Sequence, residues 1–410
     1  MPRRTRHKIG VALAGGGPLG AIYEIGALVA LQDAMKGVDL VDCDVYVGVS
    51  SGGVLAAGLA NGITPRDIHA MFIENETSGE AFDPEILLKP AFGEYVRRFA
   101  SLPALALQAI EHWVADPFSK GFFASFQRLG RAIPTGVFDN VGFSAFLRQL
   151  LSAPGRTDDF RELRHRLFVV ATDLDSGKAV PFGSSGWDHV PISRAVQASA
   201  ALPGLFPPVD IDGRHYVDGA LMKTLHASVA LKEGAKLLIC VNPLVPFNAD
   251  LTHDEDDGWG ERVSLIDRGL PAVMSQTFRA IIHSRMKVGM DRYRTDYPDA
   301  DVVLFEPNQA DAEMFFANIF SYASRKRLAQ HAYDRTLADL RRRREQLTPV
   351  LARHGITLDD DLLDGGRHLI DARSPPLRRM RTYRPHPVAR DLDRALDRLD
   401  AALKTHAAAE

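Results

Sequence analysis

Short, nearly uncharged apolar runs recur along the chain, and the segments between them have helical spacing. Because the runs are rich in β-branched residues, they predict buried strands. The predicted strands cover residues 9–14, 44–49, 167–173, 236–242 and 302–305. Apolar residues at helical spacing predict a first helix over residues 21–35. Strands that alternate with helices over most of the chain predict an α/β fold, a three-layer α/β/α sandwich with a mostly parallel central sheet.

The turn after the second predicted strand carries a serine in the sequence Gly-Val-Ser-Ser-Gly, residues 48–52. A helix rich in small residues is predicted directly after it, over residues 52–60. A serine at such a strand–turn–helix junction is strained and exposed at the end of its strand, and the flanking Gly48 and Gly52 let the chain bend and a substrate approach. Ser50 is therefore a candidate nucleophile, although the pattern also occurs by chance in glycine-rich α/β proteins.

A glycine loop over residues 15–20 follows the first predicted strand and has two interpretations. Gly15, Gly16 and Gly17 can turn backbone N–H groups toward a substrate and stabilise an oxyanion. The loop also fits the dinucleotide-binding pattern G-x-G-x-x-G through Gly20. That pattern expects an acidic residue at the end of the second strand, which instead ends at Ser50. Nucleotide binding remains the weaker alternative, and a shift of melting temperature with NAD or ATP would reveal it.

The base that would activate a serine has two kinds of candidate. Three histidines stand in positions open to this role, without a distinctive loop signature: His226, His283 and His331. The other candidate is Asp218, because the pair Asp218-Gly219 follows a short predicted strand over residues 214–217. A partly desolvated aspartate beside Ser50 could take the proton directly. An aspartate before glycine is also common in ordinary turns.

Composition limits the functional classes. The chain has 410 residues, of which 46% are hydrophobic and 25% charged, and its net charge is −3, so a dedicated nucleic-acid binder is not expected. Cys43 and Cys240 stand beside or inside apolar runs, which predicts two core cysteines and neither a disulfide framework nor a metal site. The basic N-terminal residues are followed by a glycine loop rather than an uninterrupted apolar stretch, so we expect a cytoplasmic protein without a signal peptide or membrane span.

Two regions extend the predicted sandwich. Within a main domain over residues 8–320, residues 65–135 are predicted to form a helical insertion, either a lid or partner surface or plain core packing. Residues 321–410 are predicted to form a basic helical C-terminal extension, in which the stretch 325–404 holds 19 Lys or Arg against 12 Asp or Glu. A further amphipathic helix is predicted over residues 388–403. Such charge runs are either solvated helix faces or attachment sites for anionic lipid, which would place the protein peripherally at an inner membrane surface.

Five segments, in a fixed order, make the chain resemble the patatin-like phospholipases, in particular the bacterial branch. They are residues 15–20, 48–52, 171–177, 198–208 and 218–220. The resemblance implies the three-layer fold, a Ser50–Asp218 catalytic dyad, and cleavage of lipid acyl esters without metal or cofactor, as a phospholipase A or lysophospholipase. It also assigns roles to the surrounding glycines. These are an oxyanion hole of Gly15, Gly16 and Gly17, a nucleophile elbow with Gly48 and Gly52, and supporting roles for Gly20 and Gly219.

Three departures from the family pattern limit what the resemblance carries over. Leu19 stands where the glycine loop usually has Arg or Lys, so head-group preference does not transfer. Ala220 replaces the second glycine of Asp-Gly-Gly, and residues 224–226 replace Asn-x-Pro.

The leading hypothesis is a lipid acyl hydrolase that works at membrane surfaces. The alternative is a membrane-associated scaffold of the same fold with little or no catalysis. Turnover of a simple acyl ester would separate the two hypotheses, whereas the oligomeric state is not predicted.

Overall fold

The protein is described by a computed structural model that covers residues 7–74, 91, 135–248, 265–266, 269–316, 322–365 and 369. The strands are β1 Ile9–Leu13, β2 Met35–Lys36, β3 Val45–Val49, β4 Arg166–Asp173, β5 Lys178–Phe182, β6 Val209–Ile211, β7 Arg214–Asp218, β8 Leu237–Val241, β9 Asp301–Phe305 and β10 Thr357–Leu358. The helices are α1 Gly17–Ala34, α2 Ser51–Ala60, α3 Pro65–His69, α4 Val141–Leu151, α5 Ile192–Ser199, α6 Ala227–Lys232, α7 Gly269–Asp296, α8 Ala312–Phe316, α9 Tyr322–Arg342, α10 Arg344–Arg353 and α11 Asp360–Gly365.

The main sheet has the strand order β6-β7-β4-β3-β1-β8-β9, and β5 also pairs with β4. Strands β4, β3, β1, β8 and β9 run parallel to their neighbours, whereas β5, β6 and β7 are antiparallel additions at one side. The predicted mostly parallel α/β sheet is therefore confirmed. The antiparallel strands β5 and β6 were not predicted, because their short, mixed sequences lack the apolar runs of the central strands.

Helices cover both faces of the sheet. Along β1, Val11 and Leu13 belong to a core that includes side chains of α1, α2, α5 and α9, whereas Ala12 belongs to a second core with α6 and the Tyr293 side chain of α7. This alternation is what a strand buried on both faces requires. Both predicted core cysteines, Cys43 and Cys240, are buried.

The hydrophobic core continues past residue 320, the predicted end of the main domain. Leu328, Tyr333 and Leu340 of α9 are buried in the same core as α1. The basic residues of this segment therefore share a helix with side chains that the sheet domain buries. At the N-terminal end of the predicted insertion, residues 65–74 form α3 and a π-helical turn, Ala70–Glu74.

Several predictions fall on parts of the chain outside the described residues. These are the rest of the predicted insertion (apart from residue 91 and Thr135) and, within the predicted C-terminal extension, the helix expected over 388–403. Among the residues that are described, no helix has both the length and the apolar character to cross a membrane.

Candidate active site

Ser50 lies at the sharp turn between β3 and α2, in a strained backbone conformation. Its φ of 52° and ψ of −123° belong to a region that residues with side chains rarely adopt. The backbone N–H of Ser50 donates to the Ser199 hydroxyl at 2.8 Å, and that hydroxyl donates to the carbonyl of Val170 at 2.6 Å. Ser199 therefore ties the strained turn to the neighbouring strand β4. The side chain of Ser50 is largely buried, with 6% of the residue exposed.

The glycines on either side of Ser50 are required by close backbone packing. A Cβ atom at Gly48 would lie 2.5 Å from the carbonyl oxygen of Gly52, and one at Gly52 would lie 2.5 Å from that of Ala14. A real side-chain carbon cannot lie so close to a carbonyl oxygen. The start of α2 thus packs directly on the end of β1, which brings Ser50 close to the glycine loop that follows β1.

Asp218 reaches Ser50 because two strands meet end to end along one edge of β4. Strand β3 pairs with β4 up to Val49 opposite Val170, and the antiparallel β7 ends with Asp218 opposite the next residue, Ala171. The Asp218 carboxylate lies beside the Ser50 hydroxyl, and this neighbour lowers the pKa of the carboxyl group. The two residues are thus brought together from strands that run in opposite directions.

The carboxyl group of Asp218 is unusually basic. Burial raises its pKa from 3.8 to about 6, although the hydrogen bond from the Ala220 N–H and the nearby Ser50 hydroxyl lower it. The bond from the Ala220 N–H to Oδ1 is 2.8 Å long. Such a carboxylate is ionised at neutral pH and binds a proton more readily than an ordinary aspartate, as a general base must.

The backbone around Asp218 is held on three sides. The N–H of Asp218 donates to the carbonyl of Ala201 at 3.0 Å, and the carbonyl of Asp218 accepts from the Thr172 hydroxyl at 3.1 Å. At Gly219 an added Cβ would lie 2.2 Å from the carbonyl oxygen of Val170, so the chain passes too close to β4 for any side chain. These contacts fix the direction in which the Asp218 carboxylate points.

The glycine loop adjoins Ser50, but its three leading glycines differ in their contacts. A Cβ at Gly15 would lie 3.1 Å from Cβ of Ser50, and the Gly15 N–H donates to the carbonyl of Thr224 at 3.3 Å. Among the described residues, the N–H of Gly16 has no protein acceptor. Gly17, with a φ of +61°, is the first residue of α1, where an N–H has no intrahelical acceptor. Two free amides therefore lie at the positive end of the α1 dipole.

The three candidate histidines contact groups other than the Ser50 hydroxyl. The Nε2 atom of His226 lies 3.5 Å from the carbonyl oxygen of Gly219, and burial lowers the pKa of its imidazole to about 4. His283 faces Glu306 at 3.7 Å, and Nε2 of His331 lies 2.7 Å from Asp311. Within the described part of the chain, none of these three histidines has a hydrogen bond to the Ser50 hydroxyl.

A pocket adjoins the glycine loop on the side of the long helix α7. It measures about 350 Å³ when its solvent-open mouth is included, and its wall contains Gly16, Leu19, Pro243 and Arg279. Gly20 supports this wall, because a Cβ there would lie 2.9 Å from the Pro243 ring. Within the described residues, no group of three or more His, Cys, Asp or Glu side chains is arranged to hold a metal ion.

Sequence reasoning missed two residues of this region. Ser199 lies in a segment that carries the family resemblance, residues 198–208, but nothing in its spacing showed that its hydroxyl would hold the turn at Ser50. Arg279 comes from a segment without a distinctive motif and enters the pocket wall only through the packing of α7. Neither position has a sequence signal that distinguishes it from an ordinary helix residue.

Comparison with known families gives a match over the part of the chain that builds this site. The model of the patatin-like phospholipase family matches residues 11–231, which include β1, the serine turn and Asp218. The match therefore extends over more than half of the chain.

Individual relatives match shorter or more distant stretches. An uncharacterized NTE family protein of Mycobacterium bovis is 37% identical over 84 residues, 20% of this chain and 18% of the relative, so the match spans less than a fifth of that protein. The uncharacterized protein YqhO of Bacillus subtilis is 26% identical over 205 residues, 47% of this chain and 59% of YqhO. Among solved structures, VipD from Legionella pneumophila aligns at 17% identity with a TM-score of 0.37, over 81% of this chain and 66% of VipD. The type III effector ExoU aligns at 14% identity with a TM-score of 0.35, over 82% of this chain and 53% of ExoU.

Proposed function

Because the chain belongs to the patatin-like phospholipase family, a family of lipid hydrolases, we propose that it is a serine-dependent lipid acyl hydrolase that works through Ser50 and Asp218. The observation that carries the proposal is the position of the strained Ser50 beside a buried carboxylate whose pKa is raised to about 6. Buried next to a hydroxyl, such a carboxylate has the position and the basicity to take the serine proton.

In the first half of the reaction, the Ser50 hydroxyl oxygen attacks the ester carbonyl carbon while its proton passes to Asp218. The carbonyl electron pair moves onto oxygen, and the free amides of Gly16 and Gly17 stabilise the oxyanion. Gly15 supports the loop rather than the oxyanion, since its N–H is bonded to the carbonyl of Thr224. When the intermediate collapses, the leaving alcohol or lysolipid takes the proton from Asp218 and an acyl-serine remains.

In the second half, water releases the fatty acid. Asp218 takes a proton from water, whose oxygen attacks the acyl carbon at the same oxyanion site. The Ser50 oxygen then leaves and recovers the proton from Asp218. Every proton therefore passes through one carboxylate.

The proposal is tested by labelling with a fluorophosphonate probe, read by intact mass. We expect one adduct on the wild type and none on Ser50→Ala, because the phosphonate reacts with an activated serine oxygen. Ser51→Ala is the matched control and should label like the wild type, since Ser51 is the adjacent serine, at the start of α2. Labelling of Ser50→Ala at the wild-type rate, or no labelling of folded wild type, would refute the assignment.

Asp218→Asn should reduce hydrolysis of a simple ester by about 10²-fold or more.

We also propose that the protein contacts a lipid surface through one face of α7. Met274, Phe278, Ile281 and Val288 lie on this face and are 45%, 49%, 52% and 62% exposed. Arg285 is exposed on the same face. A helix that combines exposed apolar side chains with a basic residue is suited to an anionic membrane interface.

Flotation with vesicles that contain anionic lipid tests this contact. Phe278→Ser combined with Ile281→Ser should reduce vesicle binding, because it removes two apolar anchors from the face. Val141→Ser is the control, since Val141 is equally exposed, at 58%, but lies on α4. Equal binding by the double variant and the wild type would rule out α7 as the contact.

A further inference from the structure

Arg279 lies on the inner side of α7, in the pocket beside the glycine loop. This side of α7 is fixed to the segment that follows β8. The Gln276 amide donates to the carbonyl of Phe247 at 2.6 Å and accepts from its N–H at 3.0 Å. One turn further along, the Arg279 guanidinium donates to the carbonyl of Val245 at 3.3 Å. The guanidinium is therefore held in the pocket wall by its own helix and does not extend freely into solvent.

The guanidinium has positive charge and hydrogen-bonding capacity that the described protein residues do not use. An arginine carries five N–H donors, and the carbonyl of Val245 is the one hydrogen-bond acceptor it has among the described residues. No described carboxylate forms an ion pair with it. Burial lowers the pKa of Arg279 to about 10, so the group is still cationic at neutral pH. A cation that is partly removed from water and not paired is costly unless an anion joins it.

Aromatic packing orients this cation. The guanidinium carbon lies 4.8 Å from the centre of the Phe315 ring, which stacks on Phe247 with centroids 5.2 Å apart. Stacking of this kind fixes the plane of the guanidinium and leaves its edge for a ligand. An oriented guanidinium edge matches two oxygens of a phosphate or carboxylate.

The remaining polar groups of the pocket do not supply the missing anion. Asp311 is part of the wall, but its carboxylate accepts from the backbone N–H of Met314 at 3.0 Å and lies 2.7 Å from Nε2 of His331. Gly16, at the start of α1, forms another part of the wall and adds the positive end of the helix dipole. The pocket thus combines a cation and a helix N-terminus at the loop proposed to hold the oxyanion.

We propose that Arg279 binds the phosphate of a glycerophospholipid or lysophospholipid substrate while the acyl ester lies at Ser50. This inference rests on the proposed function, since it places the ester at the glycine loop. In a glycerophospholipid the ester and the phosphate are attached to the same glycerol unit, so both can be held from the same loop. Arg279 then determines specificity by favouring phosphate-bearing acyl esters over neutral glycerides.

The test measures binding without turnover, in the Ser50→Ala protein. Calorimetry compares 1-octanoyl-glycerol-3-phosphate, kept below its micelle concentration, with 1-octanoyl-glycerol and with inorganic phosphate. We expect the phosphorylated lipid to bind about tenfold or more tightly than the neutral one. Arg279→Gln should remove this preference and Arg279→Lys should retain part of it, because lysine keeps the charge but not the bidentate geometry. Arg294→Gln is the control, since Arg294 lies on the same helix but is 85% exposed and pairs with Asp291.

Each result separates this site from the proposed catalytic function. Equal binding of the two lipids, or a preference that survives in folded Arg279→Gln, would overturn the phosphate site. Inorganic phosphate that binds as tightly as the phosphorylated lipid would make this a site for free phosphate and overturn the lipid assignment. If the wild type hydrolyses no ester while the Arg279-dependent preference persists, the proposed hydrolase fails and the anion site stands. In an active wild type, Arg279→Gln should raise KM for the phosphorylated substrate, whereas Arg294→Gln should leave that KM unchanged.

Discussion

Acidification through pH 6 should switch off the proposed catalytic base, because Asp218 must be ionised to accept a proton. Its pKa is raised to about 6 by burial, against the opposing effects of the Ala220 N–H and the Ser50 hydroxyl. With a pKa of about 6, about 90% of the enzyme carries the ionised base at pH 7 and about 10% at pH 5. The value of kcat/KM, which reports the free enzyme, should therefore fall about tenfold between pH 7 and pH 5 and level off above pH 7.

The profile discriminates between the candidate bases. An aspartate with an unshifted pKa of 3.8 would still be more than about 90% ionised at pH 5, so the rate would hardly change. His226, whose pKa is lowered to about 4, cannot produce an inflection near pH 6. A fall centred near pH 6 is therefore expected of Asp218, and neither of an ordinary aspartate nor of His226.

The assay follows p-nitrophenyl butyrate between pH 4.5 and pH 8 at constant ionic strength, read at the wavelength where the phenol and the phenolate absorb equally. Circular dichroism at each pH confirms that the protein remains folded. His226→Gln is the control and should leave the inflection where it is. A flat profile between pH 5 and pH 7, or an inflection that moves in His226→Gln, would refute the reasoning.

Three further predictions concern the supports of the site. Ser199→Ala leaves the Ser50 N–H without its buried acceptor, so it should lower the free energy of unfolding in denaturant by about 1–3 kcal/mol and should also lower kcat. Ser199→Thr keeps the hydroxyl and should restore both quantities. An unaltered kcat in Ser199→Ala would contradict this. Gly219→Ala places a Cβ 2.2 Å from a backbone oxygen and should lower the free energy of unfolding by more than about 2 kcal/mol. The control is Gly365→Ala, at a helical position with open space around it, which should leave the stability of the protein unchanged or raise it. Equal melting temperatures of the two variants would refute this prediction. The pKa of Asp218 is higher in the folded state than the ordinary 3.8, so its stabilising contribution is complete well below pH 3.8 and is lost as the pH rises through about 6. Between pH 4 and pH 8, Asp218→Asn should therefore gain about 2.4 kcal/mol of unfolding free energy relative to wild type. A gain independent of pH would show that burial does not set this pKa.

The strands of the central sheet could be predicted from the sequence because their signal is local. Residues 9–14, 44–49 and 236–242 are apolar on both faces, and a strand covered by helices on both sides needs that composition. Ser50 could be identified for the same reason, since glycines on both sides of a serine at a strand end mark a tight turn. The helix that carries Arg279 has no comparable motif, and its place beside the glycine loop follows from contacts between residues 34 and 29 positions apart.

The residue types of the candidate site can be read from the amino-acid sequence, namely a serine in a glycine turn, an aspartate before a glycine and a loop of small residues. The meeting of Asp218 with Ser50 cannot, because it depends on β7 running antiparallel and ending one position along β4 from the end of β3. The free glycine amides and the raised pKa of Asp218 likewise follow from the folded chain. Turn geometry depends on a few adjacent residues, whereas burial, strand pairing and hydrogen-bond partners depend on segments that meet when the chain folds.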